Sequence, residues 1–170
     1  MKHARIAALA LAPLAVLAGC GKDAAETGPR ENPADSAASG RPAFLLAEMP
    51  EGAVPVADAK KTAREGEQIV VRGRIGGRSD PMSAGQGLFV MMDPSVPSCA
   101  DDPEDECKTP WDYCCETPET IMANAATVQV TGPDGKPLKT NLSAAGLSEL
   151  DEVIVVGTVG ARPSPEVLVV

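Results

Sequence analysis

Glu67–Ile75 reads EQIVVRGRI, and this stretch decides the fold class. Ile69, Val71 and Ile75 recur at every second position, with Gly73 in the same register. Gln68, Arg72 and Arg74 occupy the alternate positions, joined there by Val70. A period of two marks a strand with one buried face, and a glycine in it permits a bend or a close backbone approach. Gly76-Gly77 then breaks the run.

Similar signals continue towards the C-terminus. Gly87–Asp93 (GLFVMMD) is a short apolar run, and Met91 and Met92 in it fit core packing. Ala126, Val128 and Val130 alternate with Thr127, Gln129 and Thr131, and the turn Gly132-Pro-Asp-Gly135 follows. Glu152–Val159 (EVIVVGTV) and Val167–Val170 supply two more strands. Leu142–Leu150 (LSAAGLSEL) puts three leucines on one stripe and predicts a short helix between the third and fourth strands. Pro55–Arg64 predicts another within the lead-in 51–66, closed by Gly66.

The order β-β-β-α-β-β over residues 67–170 resembles the OB-fold, a five-stranded Greek-key barrel. The strands VVRGRIGG and VIVVGTVG carry most of that likeness. The expected architecture is therefore mainly β, a small OB-like barrel with one short helix; a β-sandwich is the alternative. Aromatic residues are scarce: two Phe, one Trp and one Tyr. Nucleic-acid-binding OB domains stack bases on aromatics, so that use is excluded. The formal charge of −9 opposes phosphate binding as well.

Upstream, the chain reads as an export signal. Lys2, His3 and Arg5 precede an apolar run from Ile6 to Leu17, too short to span a bilayer, which needs roughly 20 apolar residues. Leu17-Ala18-Gly19-Cys20 resembles the bacterial lipobox. That resemblance implies a signal peptide over 1–19 and an acylated Cys20 as the mature N-terminus. It also implies anchoring in the cell envelope on the periplasmic side, with the outer membrane favoured because Gly21 follows the cysteine. Residues 20–50 are rich in Ala, Gly, Pro, Ser and acidic residues, as in a disordered tether. Phe44, Leu45 and Leu46 interrupt it, either as a docking point or, more simply, as an incidental apolar run.

Asp93–Glu119 is a long insertion: DPSVPSCADDPEDECKTPWDYCCETPE. Nine acidic side chains stand there against one Lys, with five prolines and four cysteines: Cys99, Cys107, Cys114 and Cys115. The chain is similar to uncharacterised OB-like bacterial lipoproteins that carry a TPWDYCC segment, here Thr109–Cys115. Those relatives imply no activity. In an exported domain an even set of thiols pairs into disulfides. A bridge between adjacent Cys114 and Cys115 is strained, so each is expected to join Cys99 or Cys107.

Thiolate binding of zinc or copper is an alternative, although gaps of seven, six and no residues lack the usual short C-x-x-C hooks. Thiol redox catalysis is a second alternative, opposed by Asp112 and Glu116 beside the thiols. Asp101, Asp102, Glu104, Asp105 and Glu106 lack the spacing of a calcium loop and read as a solvated acidic face. Arg72, Arg74 and Arg78 balance that acidity or face solvent. The sole histidine, His3, falls in the cleaved segment, which removes histidine-based catalysis from the mature chain. The function expected is a non-enzymatic, membrane-anchored binding module without cofactor. Its partners would be the bilayer through Cys20 and an envelope protein or small ligand.

Overall fold

The computed structural model describes residues 41–170. The signal segment, Cys20 and most of the expected tether lie outside the described residues. The chain from Arg41 onward forms one open mixed sheet with two short helices.

The elements run in the order β1 (Val54–Pro55), α1 (Val56–Thr62), β2 (Gln68–Ile75), β3 (Met82–Ser83), β4 (Leu88–Met92), α2 (Pro118–Asn124), β5 (Ala125–Gln129) and β6 (Glu152–Thr158). β2 is the organising strand. It pairs antiparallel with β6 from Gln68↔Thr158 to Arg74↔Glu152. Its other edge is shared, by parallel β1 at Val71 and Arg72 and by antiparallel β4 at Arg74 and Ile75. β4 continues the sheet to β5 and takes the two-residue β3 beside it.

Gly73 is what allows this sharing. A Cβ there would stand 2.9 Å from the Met91 side chain and 2.9 Å from the Met92 carbonyl oxygen. The alternation in β2 is realised: Val71, Gly73 and Ile75 are buried while Gln68 and Arg72 are exposed. Val71, Ile75, Phe89, Met91, Ala126 and Val128 form the core together with Val56 and Ala59 of α1.

α1 begins without a side-chain cap of its own. The Asp93 carboxylate, at the far end of β4, accepts from Ala57 N at 2.7 Å and caps it from across the fold. Arg162 holds the other end, its guanidinium donating to the carbonyls of Lys60 and Ala63. Lys60 Nζ donates to the carbonyls of Met122 and Ala125 at 2.6 and 2.7 Å, closing the C-terminus of α2.

Several expectations change. The sheet has six strands in one open sheet rather than five in a closed barrel. Two of the six, β1 and β3, are only two residues long and leave no periodic signal. Val167–Val170 forms no extended ladder. It makes a parallel bridge, Thr127↔Val169, with Thr127 N on Leu168 O and Gln129 N on Val170 O, both at 2.9 Å.

The predicted helix over Leu142–Leu150 is a chain of turns. Gly146 has φ +95° and Leu150 φ +66°, and neither continues a right-handed helix. Leu142 still reaches the core and Leu147 packs against it. A helix forms instead at Pro118–Asn124, where Thr117 Oγ1 accepts from Thr120 N and Pro118 stands in the first turn. Phe44 is not incidental, since it packs against the main core cluster.

Candidate functional site

The insertion leaves and returns to the sheet at one point, where Asp93 N donates to Asn124 O at 2.8 Å. It is seated on the end of β2. Gly77 N donates to Trp111 O at 2.8 Å, and Trp111 Nε1 donates to Ser79 O at 2.9 Å. Gly76 makes room, because a Cβ there would lie 2.6 Å from Trp111 O and 2.8 Å from the Tyr113 ring. Tyr113 is fully buried against Met92 and Val96, with Ile121 and Ala125 alongside. A second, smaller core therefore lies under the loop.

Charge completes the attachment. Arg74 Nη1 donates to Asp101 Oδ2 at 2.7 Å and to Ser98 Oγ at 3.2 Å. Asp101 Oδ2 also accepts from Ser98 N at 2.8 Å. The Ser98 amide and the Arg74 guanidinium hold the Asp101 carboxyl below the usual carboxylate range. Of the three arginines, Arg74 makes an ion pair with the acidic loop. The acidic run is more than a solvated face, since Asp101, Asp102 and Asp105 all accept hydrogen bonds within it.

The loop gathers its four cysteines. Cys99 Sγ lies 3.1 Å from Cys115 Sγ and 3.6 Å from Cys114 Sγ, and Cys107 Sγ lies 3.4 Å from Cys114 Sγ. All three separations exceed the S–S bond length of about 2.05 Å. Cys99 is buried, while Cys114 and Cys115 are exposed. Tyr113 adopts φ 59°, ψ 37° immediately after the 3-10 turn Pro110–Asp112, and this left-handed step turns the Cys114-Cys115 pair back on the loop.

Two aspartates, Asp105 and Asp112, sit among the sulfurs. Asp105 Oδ1 accepts from Cys107 N at 2.7 Å, and Asp112 Oδ1 accepts from Cys114 N at 2.9 Å. Each is an Asx turn, in which a carboxylate bonds the amide two residues on. The Asp112 carboxylate then lies among the thiols of Cys99, Cys107 and Cys114, and that of Asp105 beside Cys99 and Cys115. The signal was present as a repeated Asp-x-Cys, at 105–107 and 112–114. The Sγ atoms of Cys99, Cys107 and Cys114 and a carboxylate oxygen of Asp112 all lie within 4.8 Å of one another. A second set, Cys99, Asp105 and Cys115, shares Cys99.

The thiols are electrostatically unequal. Burial opposes ionisation of Cys99, but hydrogen bonds from Cys115, Cys114 and Cys107 outweigh it and lower the thiol. Hydrogen bonding to Cys107 and then to Cys99 pushes Cys114 up. Cys115 is pushed up to about 12, first by Cys99 and then by Asp105. The three neighbouring thiols therefore favour ionisation at Cys99 over ionisation at Cys114 or Cys115.

One other concavity stands out. A cleft of about 930 Å³ lies on the sheet, lined by Phe44, Leu45, Phe89, Val128, Val153 and Val155 among others. It is largely apolar, and none of the four loop cysteines lines it. No protein-family model, no curated protein and no solved structure matches the chain.

Proposed function

We propose that this protein is a lipid-anchored, non-enzymatic binding module of the bacterial cell envelope. Cys20 carries the acyl chains, the residues after it space the domain from the bilayer, and the domain faces the periplasm, at the outer membrane. The domain is OB-like in this reading, with the bridged segment Val167–Val170 closing it. The hydrogen bonds of that segment to β5, and of Gly160 N to Val169 O, support the closure. The observation that carries the proposal is the seating of the insertion on the end of β2. Binding surfaces are built on loops that a rigid scaffold positions, and here the scaffold presents a loop with two exposed thiols and dense negative charge. An envelope protein or a small cationic ligand is received there. The mature chain offers no histidine, which weighs against histidine-assisted chemistry.

Fractionation of a two-membrane bacterium producing the full chain tests the reading. The expected result is an envelope-bound protein whose intact mass begins at an acylated Cys20, and a Cys20→Ala variant that loses the anchor. An unacylated polypeptide in the cytosol that still begins at Met1 overturns it.

A further inference from the structure

We propose that Cys99, Cys107 and Cys114, with the carboxylate of Asp112, form a site for one tetrahedral d10 cation of the zinc class. Distance is the first argument. Two thiolates on one tetrahedral zinc stand about 3.8 Å apart, given a Zn–S length of about 2.3 Å. The two sulfur contacts within this set are 3.4 and 3.6 Å, so an ion is accommodated by an opening of a few tenths of an ångström. A cystine would require each pair to close by more than 1 Å, to about 2.05 Å.

The donor set is the second argument. Three sulfurs and one carboxylate oxygen are four ligands mutually within 4.8 Å, and zinc takes that mixture. Two donors fix the Asp112 carboxylate in place. Thr109 Oγ1 donates to Oδ2 at 2.7 Å, and Cys114 N donates to Oδ1 at 2.9 Å. Each oxygen keeps a further lone pair, and outer hydrogen bonds of this kind orient metal-ligating carboxylates.

The stereochemistry of adjacent cysteines is the third. Cys114 and Cys115 both approach Cys99, at 3.6 and 3.1 Å, but their other neighbours differ and they divide between the two donor sets. Cys115 thus stands outside the proposed ligand set. Its Sγ contacts Cys99 at 3.1 Å and Asp105 Oδ2 at 3.2 Å. Nine acidic side chains against one Lys in the insertion bring cations towards it. The site is independent of the anchor: an unacylated chain can hold the ion, and an acylated one can lack it.

The test uses the full chain, reduced and stripped with chelator, then loaded with zinc or with cobalt(II) as a spectroscopic probe. The expected outcome is one zinc per chain after gel filtration. Cobalt should give tetrahedral ligand-field bands with sulfur-to-metal charge transfer, bleached by one equivalent of zinc. Cys107→Ser and Cys114→Ser should abolish stoichiometric binding. Asp112→Asn should keep the charge-transfer band while moving the ligand-field bands. Cys115→Ser alters the same loop and should retain one ion per chain, which separates loss of a ligand from loss of the loop's fold. No ion on the reduced chain overturns the site. Equal loss in Cys115→Ser and Cys107→Ser also overturns it. So does recovery of cystines Cys99–Cys115 and Cys107–Cys114 from chain isolated from the envelope; these are the shortest contacts that use each sulfur once.

Discussion

The sheet and the insertion of one chain are held together by different physics. The sheet buries Val71, Ile75, Phe89, Met91, Ala126 and Val128 in a single cluster, and its stability is that of apolar area removed from water. The insertion buries little that is apolar beyond Tyr113, Val96 and Cys99. Its order comes from Asx turns, one ion pair, backbone bonds to Gly77 and Ser79, and contacts among four sulfurs. A core of the first kind unfolds cooperatively. A loop of the second kind can open by itself, because few apolar contacts oppose its detachment. Trp111, the only tryptophan, lies in the insertion, so its fluorescence reports the loop while far-UV circular dichroism reports the sheet.

The largest effect should come from the sheet. Phe89→Ala removes a ring that is 4% exposed and leaves a cavity in the main cluster. A loss of about 3–5 kcal/mol is expected. Both probes should shift together in urea, because the loop has no support once the sheet is lost. Coincident loss by both probes sharpens the contrast; a loop signal that persists after the sheet has melted breaks it.

Gly76→Ala aims at the joint. Gly76 is not in the left-handed region, so the backbone tolerates alanine. The new methyl would meet Trp111 O at 2.6 Å and the Tyr113 ring at 2.8 Å, and one of those is backbone. Overpacking of this kind costs about 1–3 kcal/mol. It should appear as an early Trp111 transition that precedes the dichroism transition. A single coincident transition at the wild-type midpoint would show that the loop does not rest on this glycine.

Acid should act through carboxylates that join the two regions. Asp93 is 1% exposed and accepts from Ala57 N, Ser95 N and Ser95 Oγ. Burial raises its pKa, but the bonds from Ser95 and Ala57 outweigh that, and the carboxyl sits below its usual 3.8. Asp101, bonded to Arg74 of β2, is also lowered, first by the Ser98 amide and then by Arg74. Depressed carboxylates contribute their stability fully above the unfolded value and lose it as pH falls through the folded one. Stability should therefore be level from about pH 5 upward with respect to these groups and should decline below about pH 4. In Asp93→Asn the decline should be shallower, and the neutral-pH stability lower by about 1–3 kcal/mol, since buried donors lose a charged acceptor. An acid limb as steep in Asp93→Asn as in the wild type would remove Asp93 from this role.

The two regions also differ in how they could be read from the sequence. Period two located β2 and β5, and apolar runs located β4 and β6, each to within a residue or two, because a buried face dictates the pattern. α1 was legible from its proline start. The leucine stripe of 142–150 misled because Leu142 and Leu147 do reach the core, but through turns that Gly146 permits and a helix does not. α2 announced itself as Thr117-Pro118-Glu119 at the edge of an acidic loop whose composition suggested no helix. In the insertion, composition identified the four cysteines and nothing local fixed their meeting. Spacing argued against a shared ion because it assumes that hooks form in sequence. Here Cys99 reaches Cys114 across 15 residues, on a path set by Arg74–Asp101 and by the left-handed turn at Tyr113.

The smallest effect tests that turn. Tyr113 is fully buried, and among the described residues its phenol oxygen has no hydrogen-bond partner. Burial raises the phenol's pKa, so the hydroxyl stays neutral at physiological pH. A buried hydroxyl without a partner costs free energy, whereas the ring beneath it packs on Met92 and Val96. Tyr113→Phe keeps the ring and the backbone and removes only that cost. It should leave the loop as stable as before, or more stable by up to about 1 kcal/mol, with the Trp111 transition unmoved or later. If the variant instead loosens the loop ahead of the sheet, the hydroxyl has a partner that holds the turn, and the insertion relies more on polar bonding than on its small apolar core.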